Sequence, residues 1–516
     1  MSNQEIAQRG ILDAWKQMEE TGDRKQESIQ SEPPTTDLDI GSRVEMFVDR
    51  YLIDQMYNTT LRLAPPQPQN MAVTFDRPWE GPGSGAYASV FFDGKQYRLY
   101  YRACGNNAAK SGGDLSARQY TCLALSPDGI HWEKPELDLV EFDGSTKNNI
   151  VVSGIMAHNF SPFPDGNPAC PPEERFKAVA GHANTGLMAF CSEDGLHWHT
   201  LQDEPIIREG AFDSQNLCFY DRRIGKYRCY SRYFAKPIAW EQEARDGTFR
   251  PVLPPDTLDD LGIGIRAIQS ATSEDFLHWS DQVANTYQRG VPLEHFYTNA
   301  TIPCPGAEHI YLSMPMRFLH DRHKVPSCPF PGVSDGVFMT SRDGVRFDRT
   351  FLEGWLRPGL SERCWTQRNY ITAWGLLETS PEELSLFVGV HYEWDDGGIR
   401  RYTVRRHGFA SVNAPYDGGI LVTKPFRFQG DALYLNYATS AAGAIRVGII
   451  SDGSGWPACD FSTEDCDLIY GNELARRVTW RGSGDLSRFA GRTVRLKFEM
   501  YDADLYALQF GTASQP

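Results

Sequence analysis

The chain has no cationic excess: 51 lysines and arginines stand against 67 aspartates and glutamates, a net charge of −16. That balance excludes a phosphate-backbone partner, which needs a concentrated positive field to displace counterions, so no nucleic acid is expected. No apolar run is long enough to cross a bilayer, and the opening MSNQEIAQRGILDAWKQMEETGDRKQ has no uninterrupted apolar stretch of the signal-peptide kind. No membrane partner and a cytoplasmic location are therefore expected. Among 11 cysteines there is no CxxC pair, and Cys122, Cys191, Cys218 and Cys229 fall inside apolar runs. Buried free thiols are expected rather than disulfides or metal ligands. GxSxG, P-loop and post-strand GxGxxG motifs are also missing, which leaves acyl, phosphoryl and hydride transfer without a foothold. His320 and His323 in HDRH read as loop, and His197 and His199 in HWH lie in a turn, so neither a metal site nor a cofactor is expected.

What the chain does contain is a repeated phrase: SPDGIHW at 126, SEDGLHW at 192, SEDFLHW at 273 and SRDGVRF at 341. Gly after Asp supplies the positive φ of a tight turn, and the Asp caps it. Each copy follows two or three strand-like runs, such as YASVFFDGKQYRLYYRA and then YTCLALS. The anchor aromatics are 66, 81 and 68 residues apart, a long period that suggests propeller blades of about four strands carrying long loops. A fifth unit, from ITAWGLLETS to RRHGFASV, keeps the strands without the turn. The fold expected is all-β: a five-bladed β-propeller over 43–415, then an antiparallel β-sandwich over 416–516 where DGxxW turns cease. Residues 1–42 read as a short amphipathic helical arm (Ile6, Leu12, Trp15, Met18) and a polar linker.

Segments that lead into the first strand of each blade deliver side chains to one funnel, so candidate residues are sought there. Fifteen residues past the anchor aromatic stands an acid three times: Asp213, Glu294 and Glu362. The second blade offers Asp165, and the first Asp76 and Glu80. Each acid could equally cap its loop. Asn216 and Asn299, with Asn167 and Asn369, accompany the acids in a different register; they suit sugar hydroxyls or strand-approach turns. Arg102, Arg232 and Arg317 end comparable strands, with Arg266, Arg363 and Arg368 nearby. They could pair with the acids, or bind an anionic substituent such as a uronate or sulfate.

With those features, FDSQNLCFYDRRIGKYRCYSR, YTNATIPCPG and LYLNYATSAAGAIRVGI, the chain resembles the five-bladed β-propeller glycoside hydrolase superfamily of invertases, arabinanases and mannoside phosphorylases, and within it a bacterial group with an appended β-sandwich. The resemblance spans about residues 43–516. The NDPNG, RDP and EC signatures of invertases are absent, so no sugar is implied. The resemblance implies a carboxylate pair flanking a glycosidic bond, one protonated and one ionised. Asp213 is the leading catalytic candidate, Glu294 the candidate proton donor, and Glu80 or Asp165 the partner. Asn216, Asn299, Arg102, Arg232, Arg317 and Glu362 are candidate substrate contacts. The expected activity is glycoside hydrolysis in polysaccharide degradation; a non-catalytic carbohydrate-binding propeller and a glycan phosphorylase remain alternatives.

Overall fold

The structure is a computed structural model; it describes residues 38–104, 119–182, 185–235, 264–288, 291–292, 294–451 and 458–513. The helical stripe at Ile6–Met18 and the insertion beginning at 236 lie outside the described residues. Among the described residues the only helical pieces are short 3-10 turns, such as Ile155–His158 and Glu362–Trp365, and no helix is long and apolar enough to cross a membrane. All 11 cysteines are free, and nine are buried.

The described residues form two compact units, one within 65–404 and one from 38–64 together with 405–513. In the second of these, the strands Leu38–Gly41, Ile53–Tyr57 and Thr60–Leu63 pair with Phe426–Phe428, Gly419–Thr423 and Ala410–Ala414. Residues 43–64, read from sequence as part of the propeller, thus pair with C-terminal strands. The reason is complementarity of apolar faces: Phe47, Leu52 and Ile53 join Leu435, Val447, Trp480 and Phe498 in one core. Two long strands, Ala432–Ser451 and Val494–Gly511, pair along their length and carry most of it.

The 65–404 unit is a series of sheets, antiparallel except where Thr286–Tyr287 pairs in parallel with Arg346–Asp348. The first holds Ser89–Phe92, Tyr97–Cys104, Gln119–Ser126 and Ile150–Ser153 in chain order. The next two repeat that plan from Ser161–Pro164 to His199–Thr200 and from Leu217–Asp221 to Val283–Ala284. A fourth is built on Ile302–Cys304 and Ala307–Ser313, and a last on Ile371–Thr372, Glu383–Val390 and Gly398–Arg405. Gln67–Thr74, from the start of the unit, supplies the outer strand of that last sheet, which covers an edge that would otherwise stay open.

The repeated phrase is a fastener between sheets. In the second copy Ser192 Oγ accepts from Gly195 N at 2.9 Å, and Asp194 Oδ1 accepts from Leu196 N and His197 N at 2.8 and 2.9 Å. The tightened turn then presents its carbonyls to the preceding sheet: Arg98 donates to Asp194 O at 2.7 Å and Tyr100 to Gly195 O at 2.8 Å. Arg228 and Tyr230 clasp Asp343 O and Gly344 O in the same way, at 3.2 and 2.7 Å. Gly129, Gly195 and Gly344 take positive φ; in the third copy Phe276 does so at 70°, and its fully buried ring packs on Phe163 and Trp279. Ring burial there outweighs the modest cost of a left-handed non-glycine residue. Asp194→Ala should lower stability by about 1–2 kcal/mol, read as a shifted urea midpoint, because three capping bonds go at once.

Candidate functional site

Five segments lead into the first strands of successive sheets, and their side chains meet. Tyr87 precedes Ser89–Phe92, His158 precedes Ser161–Pro164, Asp213 precedes Leu217–Asp221, Tyr297 precedes Ile302–Cys304 and Arg368 precedes Ile371–Thr372. The Tyr87 and His158 rings lie 5.7 Å apart, and His158 is hydrogen-bonded to the backbone of Asp213. Arg232, from the strand Lys226–Ala235, donates to Asp213 Oδ1 at 2.5 Å and lies 5.2 Å from the Tyr297 ring. Arg368 lies 5.7 Å from the same ring and donates to Tyr392 Oη at 3.0 Å. Tyr87 and Tyr297 pack in one buried cluster with Tyr392, which closes the circle. Arg102 sits 5.9 Å from the Tyr87 ring, and Arg266 5.5 Å from the Tyr297 ring.

The amides beside these residues hold the segments in place. Asn216 Nδ2 donates to Phe212 O and Ser214 O at 2.9 and 3.0 Å, and Asn369 Nδ2 to Arg363 O and Thr366 O at 3.0 and 3.1 Å. Asn299 donates to Gln215 O at 3.4 Å and accepts from Thr301 N. Segments that leave the strand ladder must satisfy their backbone groups some other way, and a buried side-chain amide does so. Asn167 likewise donates to Tyr227 Oη at 3.1 Å.

A cavity of about 690 Å³ is lined by Glu294, Arg317, Phe318, Asp335, Arg357 and Trp365, a volume suited to a small ligand. Its wall is an extra three-stranded sheet, His295–Phe296, Met316–Leu319 and Val333–Gly336. Arg317 and Asp335 are direct cross-strand partners, joined by two bonds of 2.8 and 2.6 Å. Phe318 and His295 belong both to this wall and to the surroundings of Arg266, at 5.3 Å from the Phe318 ring and 3.4 Å from His295 Nδ1, so the cavity adjoins the ring of converging residues.

The predicted carboxylates occupy different surroundings. Asp213 is 47% exposed with Arg232 as its cation. Glu294 lies 2.7 Å from Arg317 and 2.6 Å from Arg349, the latter contact being close in charge but poorly aligned as a hydrogen bond. Asp165 has no side-chain exposure and accepts from Lys177 at 2.6 Å and Tyr227 at 2.7 Å. Glu80 is equally enclosed, accepting from Tyr101, Lys134 and the Arg77 amide at 2.5, 2.6 and 3.0 Å; it lines a separate cavity of about 380 Å³ with Asp76 and Trp394. Glu362 is exposed, at the start of a short 3-10 turn. Arg363 pairs with Asp396 at 2.7 Å. Of the ten candidates, Asp213, Arg232 and Arg102 reach the convergent ring, Glu294 and Arg317 the cavity, and Asn216 and Asn299 the supports behind the ring.

Sequence reasoning missed Tyr87, His158, Tyr297, Tyr392 and Asp335. Counting from the anchor aromatic found acids, whereas the residues that converge stand two to five positions ahead of the first strand of each sheet. Counting back from the strands would have found Tyr87, His158 and Tyr297, but not Tyr392, which follows a strand, or Asp335, which lies within one.

Burial and the neighbouring cations Arg102 and Arg368 hold the His158 imidazole down to about 3. Below the ordinary histidine value near 6.5 the unfolded chain binds a proton that the native site refuses. This part of the stability is complete above pH 6.5 and declines as pH falls toward 3, by about 1.4 kcal/mol per pH unit. His158→Gln should shrink the difference in unfolding free energy between pH 7 and pH 5, measured by urea titration, by about 2 kcal/mol; an unchanged difference would rule out a neutral native imidazole.

No family model matches the chain, and no curated protein matches it. Among solved structures it is similar to an N-acetylgalactosamine deacetylase from F. plautii in complex with blood group B trisaccharide: 12% identity, 67% of this chain and 95% of that one, TM-score 0.41. A glycoside hydrolase family 43 arabinoxylan arabinofuranohydrolase from Bacillus subtilis matches at 11% identity over 84% of this chain and 97% of that one, TM-score 0.39. β-1,2-Mannobiose phosphorylase from Listeria innocua matches at 13% over 65% and 97%, TM-score 0.37. Glycoside hydrolases recur among these neighbours, all at TM-scores below 0.5.

Proposed function

We propose that the chain is a glycan-cleaving enzyme, a glycoside hydrolase working at the ring of strand-approach residues. In this reading residues 65–404 form the five blades of a propeller, and the other unit a β-sandwich. The observation that carries the proposal is the accessibility of Asp213. It alone of the four candidate catalytic carboxylates is nearly half exposed, and it is held by Arg232, which lies 5.2 Å from the Tyr297 ring; a cavity of saccharide size is walled by Phe318 and His295, next to Arg266, itself 5.5 Å from that ring. Aromatic faces and guanidinium forks suit sugar rings and their polar substituents.

Hydrolysis needs a carboxylate to attack or to activate water, and a group to protonate the leaving oxygen. Asp213 takes the first role. For the second we assign Tyr297: burial raises its hydroxyl pKa, but Arg368, Arg232, Tyr87 and Arg266 outweigh burial and make it more acidic than an ordinary phenol. Glu294, in the cavity wall, is the competing donor, although Arg317 and Arg349 already flank its carboxylate. Asp165 and Glu80, whose oxygens are engaged inside the protein, act as scaffold.

The test is reducing-sugar release from a panel of plant and algal oligosaccharides by wild type, Tyr297→Phe and Glu294→Gln. Tyr297→Phe should lower kcat by about 10²–10⁴-fold, the contribution of a positioned proton donor, with KM little changed. If Glu294→Gln is the variant that loses kcat, the assignment of the donor passes to Glu294.

A further inference from the structure

Two buried guanidinium groups, Arg102 and Arg232, and a half-buried one, Arg368, lie against the Tyr87 and Tyr297 rings, and among the described residues Asp213 is the carboxylate paired with one of them. Arg102 and Arg232 are 7% and 4% exposed. Arg102 Nε donates to Cys104 Sγ at 3.0 Å and Arg368 to Tyr392 Oη at 3.0 Å, and among the described residues neither makes an ion pair with a carboxylate. Arg232 Nε and Arg368 Nε are buried donors to which nothing among the described residues offers an acceptor. Guanidinium groups taken out of water without counter-charge are costly, and buried donors are nearly always satisfied in a folded protein.

The backbone supports the same conclusion. Tyr87 and Arg368 adopt φ of 57° and 55°, and Tyr370, His391 and Glu393 nearby in sequence take 65°, 55° and 68°. Non-glycine residues persist in that region where their surroundings force them, and such residues gather at ligand sites. Here the turns aim Tyr87 and Arg368 into one cluster instead of letting each find solvent.

We propose that Arg102, Arg232 and Arg368 together hold an oxyanion carried by the bound saccharide, a ring carboxylate or a sulfate ester. Planar forks match both anions, and phenol rings stacked on the guanidinium groups keep them fixed in orientation. Asp213 then sits at the edge of the anion site, its charge offset by Arg232. The inference rests on the reading of this ring as a saccharide site and narrows its substrate to acidic glycans.

The experiment is ligand-induced thermal shift with glucuronate, galacturonate, glucose 6-sulfate, galactose 6-sulfate, glucose, galactose and inorganic phosphate. It is run on wild type, Asp213→Asn, Arg368→Gln and Arg368→Lys. Expected is a rise in Tm with the uronates or the sulfated sugars and none with glucose or galactose. Raised salt should weaken it, and Arg368→Gln should weaken apparent affinity at least tenfold. Arg368→Lys keeps the charge without the fork; it should retain the fold and still bind more weakly. Response to uronates alone or to sulfated sugars alone identifies the anion. Equal response to neutral sugars, no response to any acidic sugar, or an Arg368→Lys protein that binds like wild type overturns the proposal. So does phosphate-dependent cleavage of a neutral glycan, which would make the oxyanion a co-substrate. Cleavage of neutral glycans that depends on Asp213 would leave the hydrolase reading intact while removing this one; acid-sugar binding without any turnover would do the reverse.

Discussion

Asp213→Asn is expected to lower kcat by about 10³-fold or more with no change in fold, since a catalytic carboxylate is lost while the amide oxygen still accepts from Arg232. The carboxylate is 47% exposed, but Arg232 is 5% exposed and loses its counter-charge, so some loss of stability accompanies the substitution, limited by the solvent that reaches Asp213. Turnover should therefore fall far more than Tm: activity disappears while a cooperative thermal transition, somewhat lowered, remains. A variant that keeps wild-type kcat would remove Asp213 from the chemistry. One that loses activity together with its folded transition would make Asp213 structural, like the enclosed acids.

Asp165→Ala should do the opposite, costing about 3–5 kcal/mol of stability because it leaves the Lys177 ammonium buried without its counter-charge. Lys177 is 4% exposed and lies 2.6 Å from Asp165, with Glu174 a second, half-open partner at 3.2 Å. The Tyr227 hydroxyl, which donates to the same carboxylate, loses its acceptor as well. The double variant Asp165→Ala with Lys177→Met should recover much of the loss, since removing both charges takes away the uncompensated one. Urea midpoints of the two single variants and the double variant complete the cycle. Full stability in Asp165→Ala would show that the pair is not holding the loop, and would return Asp165 to the list of groups free to act on substrate.

These two aspartates show how far residue type and spacing lead. Both were reached by looking for acids ahead of a strand, and nothing in FDSQN or FPDGN separates them. What separates them is Lys177 and Tyr227, 12 and 62 residues away in sequence and within hydrogen-bond reach in space. The amides mislead for a related reason. Asn216, Asn299 and Asn369 recur because each segment leaving its strand ladder needs a side chain to satisfy its backbone, and that need imitates the signature of a binding site.

The repeated DGxxW phrase was legible because its chemistry is local. Ser, Asp and Gly within seven residues close their own turn whatever lies around them, and alternating runs beside them can only become strands. For the same reason the β character and the burial of Cys122, Cys191, Cys218 and Cys229 could be read from the chain alone. The pairing of Leu38–Leu63 with the C-terminal strands, the cross-strand match of Arg317 with Asp335, and the meeting of Tyr87, His158, Asp213, Tyr297 and Arg368 could not. Those depend on which sheet edge and which strand end face one another. The partners are separated by 18 residues for Arg317 and Asp335 and by hundreds for the N- and C-terminal strands, and only packing the strands and sheets brings their side chains within the few ångströms over which charge and hydrogen bonding act.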